Sequence, residues 1–162
     1  MLLLVVRHAD AGNKRSWTGP DRLRPLSPTG RRQAEGLVVR LEDYPVDRIL
    51  SCPTLRCQQT VQPLADDRFL QVEPLAALEV DAGLTQLRAL FWDRRLRNAV
   101  LCTHGEVIGR LFAELVAEGL VAEDRLDWPK GSTWLLQRPD QGQVYGRLLA
   151  PLALEGLHPA QP

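Results

Sequence analysis

The run Leu2-Leu3-Leu4-Val5-Val6 stops abruptly at Arg7-His8. Five apolar residues in a row, with no alternation, describe a strand buried on both faces. Such strands belong to parallel sheets covered by helices on each side. Far downstream, Asn98-Ala99-Val100-Leu101-Cys102 repeats the pattern and ends in Thr103-His104-Gly105. A chain with two strands of this kind is committed to an α/β fold, where ligands bind beyond the carboxyl ends of the strands. Two of the three histidines stand at those ends, and the third, His158, lies in a proline-rich terminus that gives it no role.

The remaining elements fall into place around these strands. Ser27-Pro28 supplies a cap and a proline at the first helical position, and Ala34, Leu37, Val38 and Leu41 follow as one apolar stripe. Residues 46–50 read as a second strand, delivering Ser51-Cys52-Pro53-Thr54-Leu55-Arg56-Cys57 to the edge that carries His8. Pro53 fits the first turn of a helix there, with free backbone N–H groups facing the same edge. Residues 69–75 form a weaker strand, with Glu79 in the loop beyond it. Leu84, Leu87, Leu90 and Phe91 mark a third helix, and Val107, Ile108, Leu111, Phe112 and Leu115 a fourth. Gly105 and Gly109 let the fourth helix approach its neighbours closely. Residues 132–137 and 143–149, joined by a turn over 138–142, predict a hairpin at a sheet edge. One domain over residues 1–154 with a frayed tail over 155–162 accounts for the whole chain.

Charge narrows the function. The net charge is zero, yet residues 1–60 carry ten basic against six acidic residues, so the basic excess surrounds His8. This surplus is too small for a nucleic-acid polymer and suits a small anion. Cys52, Cys57 and Cys102 form no Cys-x-x-Cys pair and read as buried apolar side chains of a reduced, cytoplasmic protein. No apolar run approaches membrane-spanning length.

Strand-end placement collects Arg7, His8, Arg56 and His104, with Glu79 and Asp10 as the nearby acids. Two guanidiniums fork onto the oxygens of a dianion, which points to phosphate. Their charge also keeps an imidazole neutral and nucleophilic. His8 is then the nucleophile, Arg7, Arg56 and His104 steady the phosphoryl oxygens, and Glu79, with Asp10 as the alternative, protonates the leaving group. Lys14, Arg15 and Lys130 are further cationic candidates for substrate contact, and Trp17 and Trp134 candidates for stacking on a base or sugar. A metal bound through His8-x-Asp10 fits poorly with arginines at its side, so no metal or cofactor is expected.

Arg7-His8-Ala9, Arg22-x-Arg24-Pro25-Leu26-Ser27-x-x-Gly30, Ser51-Cys52-Pro53-Thr54-Leu55-Arg56-Cys57-x-x-Thr60 and Thr103-His104-Gly105 together resemble the histidine phosphatase superfamily. The resemblance implies a three-layer, phosphoglycerate-mutase-like α/β fold with a mostly parallel central sheet and an antiparallel edge hairpin. It also implies a phosphohistidine intermediate on His8. The Arg7-His8-Ala9-Asp10-Ala11 start is similar to the SixA-like group. Lys14-Arg15-x-Trp17-x-Gly19, Gln33-Ala34-Glu35 and Lys130-Gly131-Ser132-Thr133-Trp134 resemble the histidine phosphatase domain that accompanies Nudix domains in actinobacterial MutT-type enzymes. The substrate expected on this basis is a phosphomonoester, a phosphohistidine protein or a nucleotide phosphate, with a separate Nudix hydrolase as a partner. A phosphoryl-binding scaffold without turnover is the alternative, and a mutase the third reading.

Overall fold

The computed structural model describes residues 1–155; residues 156–162, which carry His158 and nearly all of the expected tail, lie outside the described residues. Its centre is β1 (Leu2–Arg7), whose first five residues are buried. On one side β1 pairs in parallel with β4 (Ala99–Thr103), from Leu3 opposite Ala99 to Arg7 opposite Thr103. On the other it pairs antiparallel with β6 (Thr133–Gln137). β2 (Arg48–Ser51) continues the parallel half beside β4, and β3 (Val72–Pro74) closes it. β7 (Tyr145–Leu149) completes the antiparallel hairpin with β6, and β5 (Val121–Ala122) lies at the far edge. The seven strands stand in the order β3-β2-β4-β1-β6-β7-β5.

The strand order dictates where the helices go. α1 (Pro28–Arg40) and α2 (Leu55–Arg68) serve crossovers that run toward β3, whereas α3 (Leu84–Phe91) and α4 (Gly105–Ala117) serve crossovers that run back. Right-handed crossovers of opposite direction place their helices on opposite faces, which yields three layers. β1 and β4 are thus covered on both sides, and their unbroken apolar runs are explained. Ser27 caps α1 as its side chain accepts the Gly30 N–H. None of the described helices is long and apolar enough to cross a membrane.

Two local expectations need correction. β3 is shorter than residues 69–75 because α2 runs on to Arg68 and Phe69 closes it in the left-handed conformation, with φ of 55°. Trp134 cannot stack on a ligand: it is 1 % exposed, sits 4.8 Å from the Phe112 ring and donates its indole N–H to Asp127 O. Arg138, the first residue of the expected turn over 138–142, turns its side chain inward. It is buried over the Phe91 ring and donates to the carbonyls of Phe91 and Leu96.

Candidate active site

Register brings the two histidines together. Because Arg7 pairs with Thr103, the next residues, His8 and His104, leave adjacent strands side by side, and His8 N–H donates to Thr103 O at 3.0 Å. Their rings meet edge to face with centroids 5.2 Å apart. His8 Nδ1 lies 2.8 Å from Ala9 O, a partner that can only accept, so Nδ1 carries the proton and Nε2 keeps its lone pair. His8 is 6 % exposed. Burial is the main cause of a pKa pushed down to about 3; the bond to Ala9 opposes it, and charge from His104, Arg56 and Arg7 adds to the lowering. The imidazole is therefore neutral at pH 7.

Ala9 is itself held. Its N–H donates to Thr60 Oγ1 at 2.9 Å, and the same hydroxyl donates to Arg56 O at 2.7 Å. One buried side chain on α2 thus ties the loop after β1 to the residue that carries Arg56. Arg7 lies against the start of α4: its guanidinium carbon would sit 3.1 Å from a Cβ on Gly105, so the glycine makes room for it. Arg7 Nη1 donates to Trp128 O at 2.9 Å. Among the described residues, Arg7 Nε and Arg56 Nε are buried with no hydrogen-bond partner.

Arg56 has a companion that sequence reasoning passed over. Its terminal nitrogens donate to Asp21 O at 2.8 Å and Asp21 Oδ2 at 2.9 Å. Asp21 also takes Arg24 Nε at 3.2 Å. Partial burial raises the Asp21 pKa, but the bonds from Arg24 and Arg56 outweigh it and hold the carboxylate below its usual range. Arg24 is buried and reaches Ala11 O at 2.7 Å, which closes the long loop after β1 on itself. A signal for Asp21 existed, since it is the sole acid between Ala11 and Leu26 amid Lys14, Arg15, Arg22 and Arg24.

A cleft opens beside these groups, lined by Asp21, Arg22, Thr54, Arg56, Glu79 and His104. Glu79 is held at this rim because Thr103 Oγ1 donates to Leu78 O at 2.6 Å and Arg110 on α4 donates to Val80 O and Ala82 O. Asp10 is differently placed. The Ser27 hydroxyl donates to its carboxylate and is the main cause of a lowered pKa, reinforced by Gly12 N–H and Lys130. Asp10 is engaged by these bonds and lies outside the cleft lining that holds Glu79. Lys130 Nζ stands 3.8 Å from Asp10, and the neighbouring Gly131 N–H bonds Arg7 O and His8 O, which puts Lys130 near the strand end but outside the cleft lining. Lys14 and Arg15 lie on an exposed turn, outside the cleft lining.

Beneath His104 lie two thiols. His104 Nε2 is 3.2 Å from Thr54 Oγ1, 3.4 Å from Cys52 Sγ and 3.8 Å from Cys57 Sγ. All three cysteines are buried and unpaired by disulfides. The hydrogen bond with Cys57 and burial push the Cys52 thiol up to about 12. Burial, then Cys102, raises Cys57 as well. Neither is a nucleophilic thiolate at pH 7.

The chain is similar to known proteins in sequence and in fold. A protein from Mycolicibacterium smegmatis named 8-oxo-(d)GTP phosphatase is 37 % identical over 143 residues, which is 85 % of this chain and 44 % of that protein. The chain thus spans less than half the length of that curated relative. Among solved structures, the protein histidine phosphatase SixA complexed with tungstate superposes with a TM-score of 0.68 at 19 % identity, covering 94 % of this chain and 97 % of that one. The alpha-ribazole phosphatase of Shigella flexneri superposes with a TM-score of 0.64 at 17 % identity, covering 98 % and 100 %. At these identities the two likenesses speak for the fold. Residues 3–93 match the family described as Histidine phosphatase superfamily (branch 1), and with more than half of its length so matched the chain belongs to that superfamily.

Proposed function

We propose that the protein is a phosphatase that hydrolyses a phosphate monoester through a covalent phosphohistidine on His8. The observation that carries this reading is the tautomer: Nδ1–H is committed to Ala9 O, which leaves Nε2 unprotonated at neutral pH. In the first step Nε2 attacks phosphorus in line, and the bond to the leaving oxygen breaks. Arg7, Arg56 and His104 steady the three equatorial oxygens as charge shifts across them. The unpartnered Nε donors of Arg7 and Arg56 supply hydrogen bonds that the protein itself leaves unused. Glu79 gives its proton to the departing alkoxide. A water molecule then attacks the phosphohistidine, passes a proton back to Glu79, and inorganic phosphate leaves. Residues 1–154 act as one catalytic domain.

For the substrate we favour a nucleotide phosphate. The support is the 37 % identical relative, whose name specifies a guanine nucleotide, together with the exposed Trp17 and the loop cation Arg22 on the cleft lining. Tungstate, bound by the SixA neighbour, is a tetrahedral oxyanion of the kind these arginines suit. A Nudix-type hydrolase acting on the same nucleotide pool is the proposed partner, in the cytoplasm. The test is a release assay for inorganic phosphate across nucleotides, sugar phosphates, phosphoglycerates and a phosphohistidine peptide, with wild type and His8→Ala side by side. Turnover of at least one class that His8→Ala abolishes is the expected result, with nucleotides foremost. Binding of phosphate without turnover of any class would favour a scaffold, and phosphoryl return to an acceptor rather than water would favour a mutase.

A further inference from the structure

We propose that Cys52, Cys57 and His104 form a Zn²⁺-binding site that switches the phosphatase off. The three candidate ligand atoms all lie within 4.8 Å of one another, and every one of the residues is buried. Their spacing is what a tetrahedral metal asks for. With Zn–S of about 2.3 Å and Zn–N of about 2.0–2.1 Å, tetrahedral angles give an S to N edge of about 3.6 Å and an S to S edge of about 3.8 Å. The observed sulfur to Nε2 separations are 3.4 and 3.8 Å. Both values lie within about 0.2 Å of that S to N edge, and the two sulfurs stand no more than 4.8 Å apart, so closing the three ligands on the ion takes a relative shift of at most about 1 Å.

Their origin explains why they converge. Cys52 follows β2, Cys57 sits in the first turn of α2, and His104 follows β4, so all three meet at the same sheet edge as the reacting groups. Two thiolates and an imidazole select soft or borderline ions, Zn²⁺ above Mg²⁺ or Ca²⁺. The fourth position falls beside Thr54, whose Oγ1 is 3.2 Å from Nε2 and 3.6 Å from Cys52 Sγ, on the lining of the open cleft. Water or a phosphate oxygen reaches it from there. On binding, the metal replaces two thiol protons, which pass to solvent.

The inhibitory half of this inference rests on the phosphatase reading, because a metal on Nε2 withdraws His104 from the phosphoryl oxygens. The site itself does not depend on that reading, and the experiment separates the two. Reduced, full-length protein is titrated anaerobically with Co²⁺ as a spectroscopic stand-in and then with Zn²⁺. Phosphatase activity on an aryl phosphate is followed in parallel. The expected result is a thiolate-to-cobalt charge-transfer band saturating at one ion per chain and bleached by Zn²⁺. The band disappears in Cys57→Ala and in Cys52→Ser, each checked for folding by circular dichroism. Activity should fall at least tenfold along the same Zn²⁺ titration and return on adding EDTA, with each variant scored against its own metal-free rate and resistant to Zn²⁺. No thiolate band, or a band undiminished in both variants, overturns the site. A saturated band with undiminished turnover overturns the switch. If wild type turns over no phosphate ester, the phosphatase reading fails and the band still decides whether the site exists.

Discussion

Replacing Thr60 by valine keeps the side-chain shape and removes a single hydroxyl, so its cost can be worked from the structure. That hydroxyl accepts the Ala9 N–H at 2.9 Å and donates to Arg56 O at 2.7 Å, at a position 1 % exposed. Arg56 O keeps a partner in the variant, because the helical ladder of α2 also brings it the Thr60 N–H. Ala9 N–H does not, and a buried donor left without an acceptor costs about 1–3 kcal/mol. For a chain of this size that lowers the melting temperature by roughly 2–12 °C. Thr60→Ser is the control: it keeps both bonds and loses one buried methyl, worth about 0.8 kcal/mol. Catalysis separates the two variants more sharply. Ala9 O holds the His8 Nδ1 proton at 2.8 Å, so a loosened Ala9 misplaces the nucleophile, and a displacement of about 1 Å is worth on the order of a hundredfold in rate. Thermal or urea unfolding together with kcat/KM measures both effects. Thr60→Val should lose stability and rate together, and Thr60→Ser should keep most of the rate. Equal rates in the two variants, or a Thr60→Val protein as stable as wild type, would refute the claim that this hydroxyl fixes the nucleophile loop.

Other consequences follow from the same geometry. His8 has a pKa of about 3 when folded against about 6.5 when unfolded, so the unfolded chain binds the extra proton between those values. Stability is complete above about pH 6.5 and is lost as pH falls toward 3. In denaturant titrations between pH 4 and 6, wild type should show a slope steeper than His8→Gln by up to about 1.4 kcal/mol per pH unit. Parallel slopes would contradict the buried neutral imidazole. Arg56→Ala should lower kcat/KM by roughly 10²–10³. Added to His8→Ala it should cost little more, because groups that act as a unit are not additive. Glu79→Gln should slow alkyl phosphates by about a hundredfold or more and leave aryl phosphates, with their better leaving groups, far less affected. Equal losses on both substrate types would remove Glu79 from the acid role.

The parts of the fold and site that were legible in the sequence were those set by local pattern. Strands such as β1 and β4 announce themselves because burial on both faces demands an unbroken apolar run, and their ends mark where His8 and His104 emerge. Residues whose roles depend on long-range partners were harder to read. Asp21 looked like one loop charge among several until Arg56, 35 residues away, was found to donate to it. Arg138 sits beside Pro139 in a stretch that reads as a turn, yet the carbonyls of Phe91 and Leu96 draw it into the interior. Trp134 resembled a stacking platform, but in β6 its side chain faces Phe112 on α4, and only the strand pairing reveals that. The cysteines were read as small buried side chains, which they are. Their convergence beneath His104 comes from three separate elements, and no spacing in the sequence encodes it.

The central claim concerns one nitrogen atom. Rapid acid-free quenching of the enzyme during turnover of a phosphate ester, followed by peptide mapping and ³¹P NMR of the trapped protein, examines it directly. The account predicts one phosphoryl group per chain, on Nε2 of His8, discharging to inorganic phosphate when substrate is exhausted. Phosphate on Nδ1, on another residue, or a wild-type enzyme that turns over with no phosphoenzyme formed would contradict it.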